Sequence, residues 1–176
     1  MSPSATTPTV TMKGNPVTLV GKAAEVGQSA PDVTLVANDL SNFQLSSLKG
    51  KTVILSVVPS LDTPICDLQT KRFNKEAVTL GSEVVILTIS MDLPFAQKRW
   101  CGLTNSANIK TLSDHREAAF GEAYGLMVKG VRLLARAILV VDSKGTIRYK
   151  QIVPEITTEP NYDEALTAVK KLINKK

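Results

Sequence analysis

Thr52-Val53-Ile54-Leu55-Ser56-Val57-Val58 runs directly into Pro59-Ser60-Leu61-Asp62-Thr63-Pro64-Ile65-Cys66. Six of the first seven residues are apolar or β-branched, the pattern of a strand covered on both faces. Residues 59–63 then break the run with two hydroxyls, an acid and a proline. Asp62 or Thr63 suits a helix N-cap. Pro64 suits the first helical position, where its missing N–H costs nothing. Pro64–Leu80 follows with helical character, and Ile65, Leu68, Phe73, Ala77 and Leu80 fall loosely on one side. A buried strand feeding a helix through a short loop is the first unit of an alternating strand–helix pattern.

The flanking sequence extends that unit. Val84–Ser90 is a second apolar run and Ala137–Val141 a third. Residues 93–101 read as a short helix stopped by Gly102, and 116–124 as another stopped by Gly125. Asp142-Ser143-Lys144-Gly145 reads as a hairpin turn into a strand over 146–153, and Tyr162–Ile173 as a final amphipathic helix. Upstream, 9–12 and 17–20 are short β-prone runs around the turn cluster Lys13-Gly14-Asn15-Pro16, which predicts an N-terminal hairpin. Residues 33–37 and 43–45 are strands, with a turn at Leu48-Lys49-Gly50. Apolar strands alternating with helices imply an α/β fold, a central mixed β-sheet flanked by helices. Residues 1–8 read as a frayed tail, and 9–176 as one domain.

Composition narrows the chemistry. The chain has 176 residues, 43% apolar and 21% charged, which is ordinary globular usage. Its net charge of +5 includes Lys170, Lys171, Lys175 and Lys176; without those four it is +1. That leaves no basic face for nucleic acid, and no nucleic-acid-binding motif is present. No stretch approaches the roughly 20 apolar residues of a membrane span. No secretory signal is visible, so the expected compartment is the cytoplasm. The chain has one histidine, His115, and two cysteines, Cys66 and Cys101. Three such residues do not supply the four ligands of a structural zinc site, so the expectation is no metal.

The cysteines carry the chemistry. Cys66 falls in the first turn of its helix, among unpaired backbone N–H groups and the positive end of the helix dipole. That location favours a nucleophilic thiolate. The alternative is a small buried hydrophobe. Cys101 ends a helix before Gly102, facing the negative end of a dipole, which favours a protonated, waiting thiol. Its alternative is a core-facing side chain beside Trp100. Arg136 stands in the apolar run Leu133-Leu134-Ala135-Arg136-Ala137-Ile138 and needs an anion, because an unpaired buried guanidinium costs several kcal/mol. A Cys66 thiolate or the Asp62 carboxylate would serve. Thr63 can hydrogen-bond a thiolate or a polar substrate, or simply cap the helix. Nothing ties His115 to the thiols, and a surface or capping place is expected for it.

Pro59-x-x-x-Thr63-x-x-Cys66 resembles the active-site signature of the peroxiredoxins, and Pro-Ser-Leu-Asp-Thr-Pro-Ile-Cys is similar to their bacterial thiol peroxidase branch. The resemblance extends to Val17-Thr18-Leu19-Val20-Gly21, Ala30-Pro31-Asp32, Arg99-Trp100-Cys101-Gly102 and Leu134-Ala135-Arg136-Ala137. Trp100 stands where relatives often carry Phe. The resemblance implies a thioredoxin-like fold with an N-terminal β-hairpin. It implies Cys66 as the peroxidatic cysteine, and Cys101 as the resolving cysteine that joins it in an intramolecular disulfide. Pro59, Thr63 and Arg136 would complete the site. It further implies hydrogen peroxide and alkyl hydroperoxides as substrates, thioredoxin as reductant, a homodimer, and no cofactor. A disulfide oxidoreductase would be favoured by Cys-x-x-Cys, which is absent.

Overall fold

Every residue of the strand Thr52–Val57 is buried, so both of its faces meet protein. A computed structural model of the chain describes residues 9–175; the tail expected over 1–8 lies outside the described residues. In chain order the strands are β1 (Val10–Met12), β2 (Asn15–Val17), β3 (Leu19–Val20), β4 (Thr34–Val36), β5 (Asn42–Gln44), β6 (Thr52–Val57), β7 (Val84–Ser90), β8 (Lys110–Ser113), β9 (Met127–Val128), β10 (Leu133–Leu134), β11 (Ala137–Val141) and β12 (Ile147–Ile152). The helices are α1 (Pro64–Leu80), α2 (Pro94–Thr104), α3 (Ala119–Tyr124) and α4 (Tyr162–Ile173). Seven strands form the central sheet in the order β12-β11-β6-β7-β8-β4-β5. β6, β7 and β8 run parallel, while β11 and β4 flank them antiparallel, so the sheet is mixed.

Alternation along the strands assigns the two faces. Val53, Leu55 and Val57 of β6 join Leu87, Leu139, Phe120, Tyr124 and Leu126 in one cluster, under α3. Ile54 joins Ile86, Ile138 and Val140 in a second cluster with Phe73, Trp100, Leu166 and Val169, under α1, α2 and α4. Cys66 belongs to this second cluster and Cys101 packs at its edge.

The bounds expected for α1, β7, β11 and α4 are the ones observed. Other expectations need correction. The N-terminal hairpin forms, but its turn is only Lys13-Gly14, both at positive φ (51° and 77°), so Asn15 and Pro16 belong to β2. Leu19–Val20 leaves the hairpin to pair with β9. Gly102 does not stop α2; the helix continues to Thr104, and Asn105 takes the left-handed cap at φ 52°. α3 starts at Ala119 rather than 116. Leu68 is 48% exposed, so the inner face of α1 is Cys66, Gln69, Thr70, Phe73 and Leu80. β8 has a single apolar residue, Leu112, and β9 and β10 are two residues each, too short to show a period.

Candidate active site

The loop 58–63 is held from the end of the neighbouring strand. Asp92, just after β7, accepts from Ser60 Oγ at 2.7 Å and from the Leu61 amide at 2.8 Å. Ser90 Oγ also donates to Asp92, at 2.7 Å. This fixes the path by which the chain leaves β6, passes the buried Pro59 and enters α1. Thr63 is the N-cap by backbone, with φ −116° and ψ 148°, and its side chain makes no capping bond. Its exposed hydroxyl donates instead to the Ser60 carbonyl at 2.9 Å. The first turn-closing bond runs from the Asp67 amide to the Thr63 carbonyl, leaving the earlier amides without helical partners.

Cys66 lies in that first turn and is fully buried. Its sulfur accepts from Arg136 Nη2 at 3.2 Å. Arg136 sits between β10 and β11, is 2% exposed, and places its other donors with equal economy. Nε donates to the Ile156 carbonyl at 2.7 Å and Nη1 to Gln69 Oε1 at 2.9 Å. Gln69 in turn donates to Ser56 Oγ of β6 at 2.8 Å. Of the two anions considered for Arg136, the structure pairs it with Cys66; Asp62 is exposed. Planar guanidinium geometry lets one side chain serve three acceptors at fixed angles. Arg136 thereby holds a fixed positive charge against the sulfur.

The hairpin braces this arrangement from behind. The Thr11 amide donates to Pro154 and the Ile156 amide to Thr11, at 2.7 and 2.9 Å. Glu155 accepts from the Gly14 amide at 2.7 Å and from Thr11 Oγ1 at 3.1 Å. Bonds from the Thr157 hydroxyl above all, and from the Gly14 amide, hold the Glu155 carboxyl down at about 2. The loop that offers the Ile156 carbonyl to Arg136 is therefore clasped by the hairpin.

Cys101 stands apart. Neither cysteine is in a disulfide. Cys101 is half-buried in the last turn of α2, with its sulfur 3.5 Å from Thr111 Oγ1 of β8, beside a groove lined by Asn38, Phe43 and Lys110. Thr111 also donates to Asn38 Oδ1 at 3.0 Å. His115 lies before α3, away from both thiols' partners; its amide donates to Ser113 Oγ at 3.2 Å, and its buried Nε2 has no partner among the described residues. The residues that sequence reasoning missed are Gln69, Ser56 and Asp92. Gln69 carried a signal: it is a polar residue one turn beyond Cys66, at core spacing on the same face. Among the described residues, no three His, Cys, Asp or Glu side chains gather as a metal site, and no helix is long and apolar enough to cross a membrane.

The model of the Redoxin family matches residues 25–166. A thiol peroxidase of Bacillus subtilis is 51% identical over 164 residues, covering 93% of this chain and 98% of its own. A thiol peroxidase of Listeria innocua is 53% identical over 162 residues, 92% and 98% of the two chains. Among solved structures, a peroxiredoxin-like protein from Aquifex aeolicus superposes with a TM-score of 0.88 at 44% identity, covering 94% of this chain and 98% of that one. A thiol peroxidase from Chromobacterium violaceum shares the fold at a TM-score of 0.85 and 17% identity, over 96% and 99%. Fold and matches together define a thioredoxin-like redox protein. The chain belongs to the Redoxin family, and within it to the bacterial thiol peroxidases. It is a thiol-dependent peroxidase, an antioxidant oxidoreductase.

Proposed function

We propose that Cys66 is the peroxidatic cysteine and Cys101 the resolving cysteine of one catalytic cycle, carried by a single domain over 9–176. The observation behind this is the buried Arg136 guanidinium, aimed at Cys66 Sγ from 3.2 Å. The Cys66 thiolate attacks the terminal oxygen of a hydroperoxide. The O–O bond breaks, the sulfur becomes a sulfenic acid, and the other oxygen leaves as water or an alcohol after taking a proton. Arg136 and the free amides of the first turn stabilise charge on the peroxide oxygens, the usual role of fixed donors. Thr63 Oγ1 has its proton committed to Ser60, which leaves its lone pairs to accept the peroxide O–H. Pro59, buried at the strand end, keeps water from the sulfur.

Cys101 then attacks the sulfenic sulfur. An S–S bond forms, the S–O bond breaks and water leaves. Thioredoxin reduces the Cys66–Cys101 disulfide by thiol exchange. Hydrogen peroxide and alkyl hydroperoxides are the substrates, and the protein works as a homodimer in the cytoplasm, where a reversible bridge suits the reducing milieu. Steady-state turnover with thioredoxin tests the roles. Cys66→Ser is expected to consume no peroxide. Cys101→Ser is expected to undergo one oxidation, trapped as a sulfenic acid, and then stop. Sustained turnover by either variant would contradict the assignment.

A further inference from the structure

A single hydrogen bond joins the immediate neighbours of the two cysteines. Trp100 Nε1 donates to Asp67 Oδ1 at 3.0 Å, tying the last turn of α2 to the first turn of α1. Trp100 precedes Cys101 and Asp67 follows Cys66. Successive helical side chains point about 100° apart. When Asp67 and Trp100 face each other, neither sulfur can face the other. Cys66 is turned toward Arg136 and Cys101 toward Thr111. Their anchors belong to different parts of the sheet: Arg136 leads into β11 and Thr111 lies in β8, with β6 and β7 between them. Those two anchors are three strand spacings apart, about 14 Å, and a disulfide needs the two cysteine Cα atoms within about 7 Å.

We propose that the Asp67–Trp100 hydrogen bond is a latch that holds the two thiols apart and must open before the disulfide forms. Closed, it keeps α1's first turn intact and Cys66 against Arg136, ready for peroxide. Open, it frees the α2 terminus to carry Cys101 across. Surrounding contacts make the tie specific. Asp67 also accepts from Lys71 Nζ at 2.8 Å, and Trp100 is only 8% exposed. The indole N–H is the one group that distinguishes Trp from Phe in this bond, since the Phe ring fills the cluster but donates nothing. The latch therefore sets the competition at the sulfenic acid. Resolution by Cys101 releases water, while a second peroxide converts the sulfenic acid to a sulfinic acid and leaves as water or alcohol.

The latch rests on the roles proposed for Cys66 and Cys101, so its test follows the two steps separately. Rapid mixing with peroxide reports Cys66 oxidation; thiol loss and mass analysis then report disulfide and sulfinic acid. Trp100→Phe is expected to leave the first step within about twofold and to speed disulfide formation about five- to tenfold, within the net worth of an ordinary hydrogen bond. Its sulfinic fraction at excess peroxide should fall. Asp67→Ala should speed resolution alike, and Asp67→Asn, which keeps an acceptor, should stay near the parent. The chain has one tryptophan, so its emission should report an opened indole in Asp67→Ala and not in Asp67→Asn. Combining Trp100→Phe with Asp67→Ala should add nothing. Unchanged or slower resolution in Trp100→Phe overturns the latch. Absence of the first step in the parent protein would instead overturn the cysteine roles.

Discussion

The two cysteines occupy opposite kinds of surroundings on one face of the sheet. Cys66 is fully buried at a helix start, with a guanidinium at 3.2 Å that is also held by the Ile156 carbonyl and Gln69. Cys101 is half-buried in a helix's last turn, with one hydroxyl at 3.5 Å and an open groove beside it. The first site is over-determined by strand, loop and helix. The second hangs on a helix end, where opening costs little. Reactivity toward peroxide needs fixed charge and a dry pocket. Resolution needs a thiol that can leave its place. Each sulfur sits where its proposed step is easiest.

Substitutions can break that contrast. Cys66→Ser should have the largest effect, dropping peroxide consumption to background while the fold, followed by circular dichroism, is retained. Arg136→Lys keeps the charge, but a compact ammonium cannot reach three acceptors spread around the guanidinium plane. Its rate of Cys66 oxidation should fall about 10²–10³-fold, the cost of losing one aimed donor in a transition state. Equal oxidation rates would return Arg136 to a purely structural role. Gln69→Leu removes the partner that orients Arg136 and leaves Ser56 and one guanidinium donor unsatisfied. Stability should drop by about 1–3 kcal/mol in urea unfolding, with a smaller loss of oxidation rate than Arg136→Lys shows.

Much of this contrast was legible in the residues. The β6 run and the Thr63-Pro64 start of α1 are strong local signals, and both lie where expected. Arg136 announced itself as a buried charge in an apolar run. The rest was hidden for physical reasons. Gln69 and Thr70 occupy the inner face of α1 as polar residues, so hydrophobic periodicity substituted Leu68, which points to solvent. Gly102 looks like a helix stop in the sequence, yet glycine with an ordinary helical φ only weakens a helix, and Asn105 supplies the actual cap. Asp67 and Trp100 lie 33 residues apart, and only the packing of α1 beside α2 brings them together.

The hairpin offers the mildest perturbation. Glu155 is held at about 2 against an ordinary 4.5. A depressed carboxyl contributes its stabilisation fully above the ordinary value and loses it as pH falls through the depressed one. Clasping of the loop that carries Ile156 should therefore persist at pH 6 and weaken from about 4.5 down to about 2. Hydrogen exchange of the Thr11 and Ile156 amides, corrected for intrinsic rates, should show it. In Glu155→Gln the protection should be lower at pH 6 and should vary less with acid.

The most direct measurement treats the reduced protein with one equivalent of hydrogen peroxide, counts thiols and maps peptides. The expected result is the loss of both thiols and a linked peptide pair containing Cys66 and Cys101 of the same chain. Two free thiols after peroxide is consumed, or a bridge found only between chains, would contradict the division of steps between these two residues.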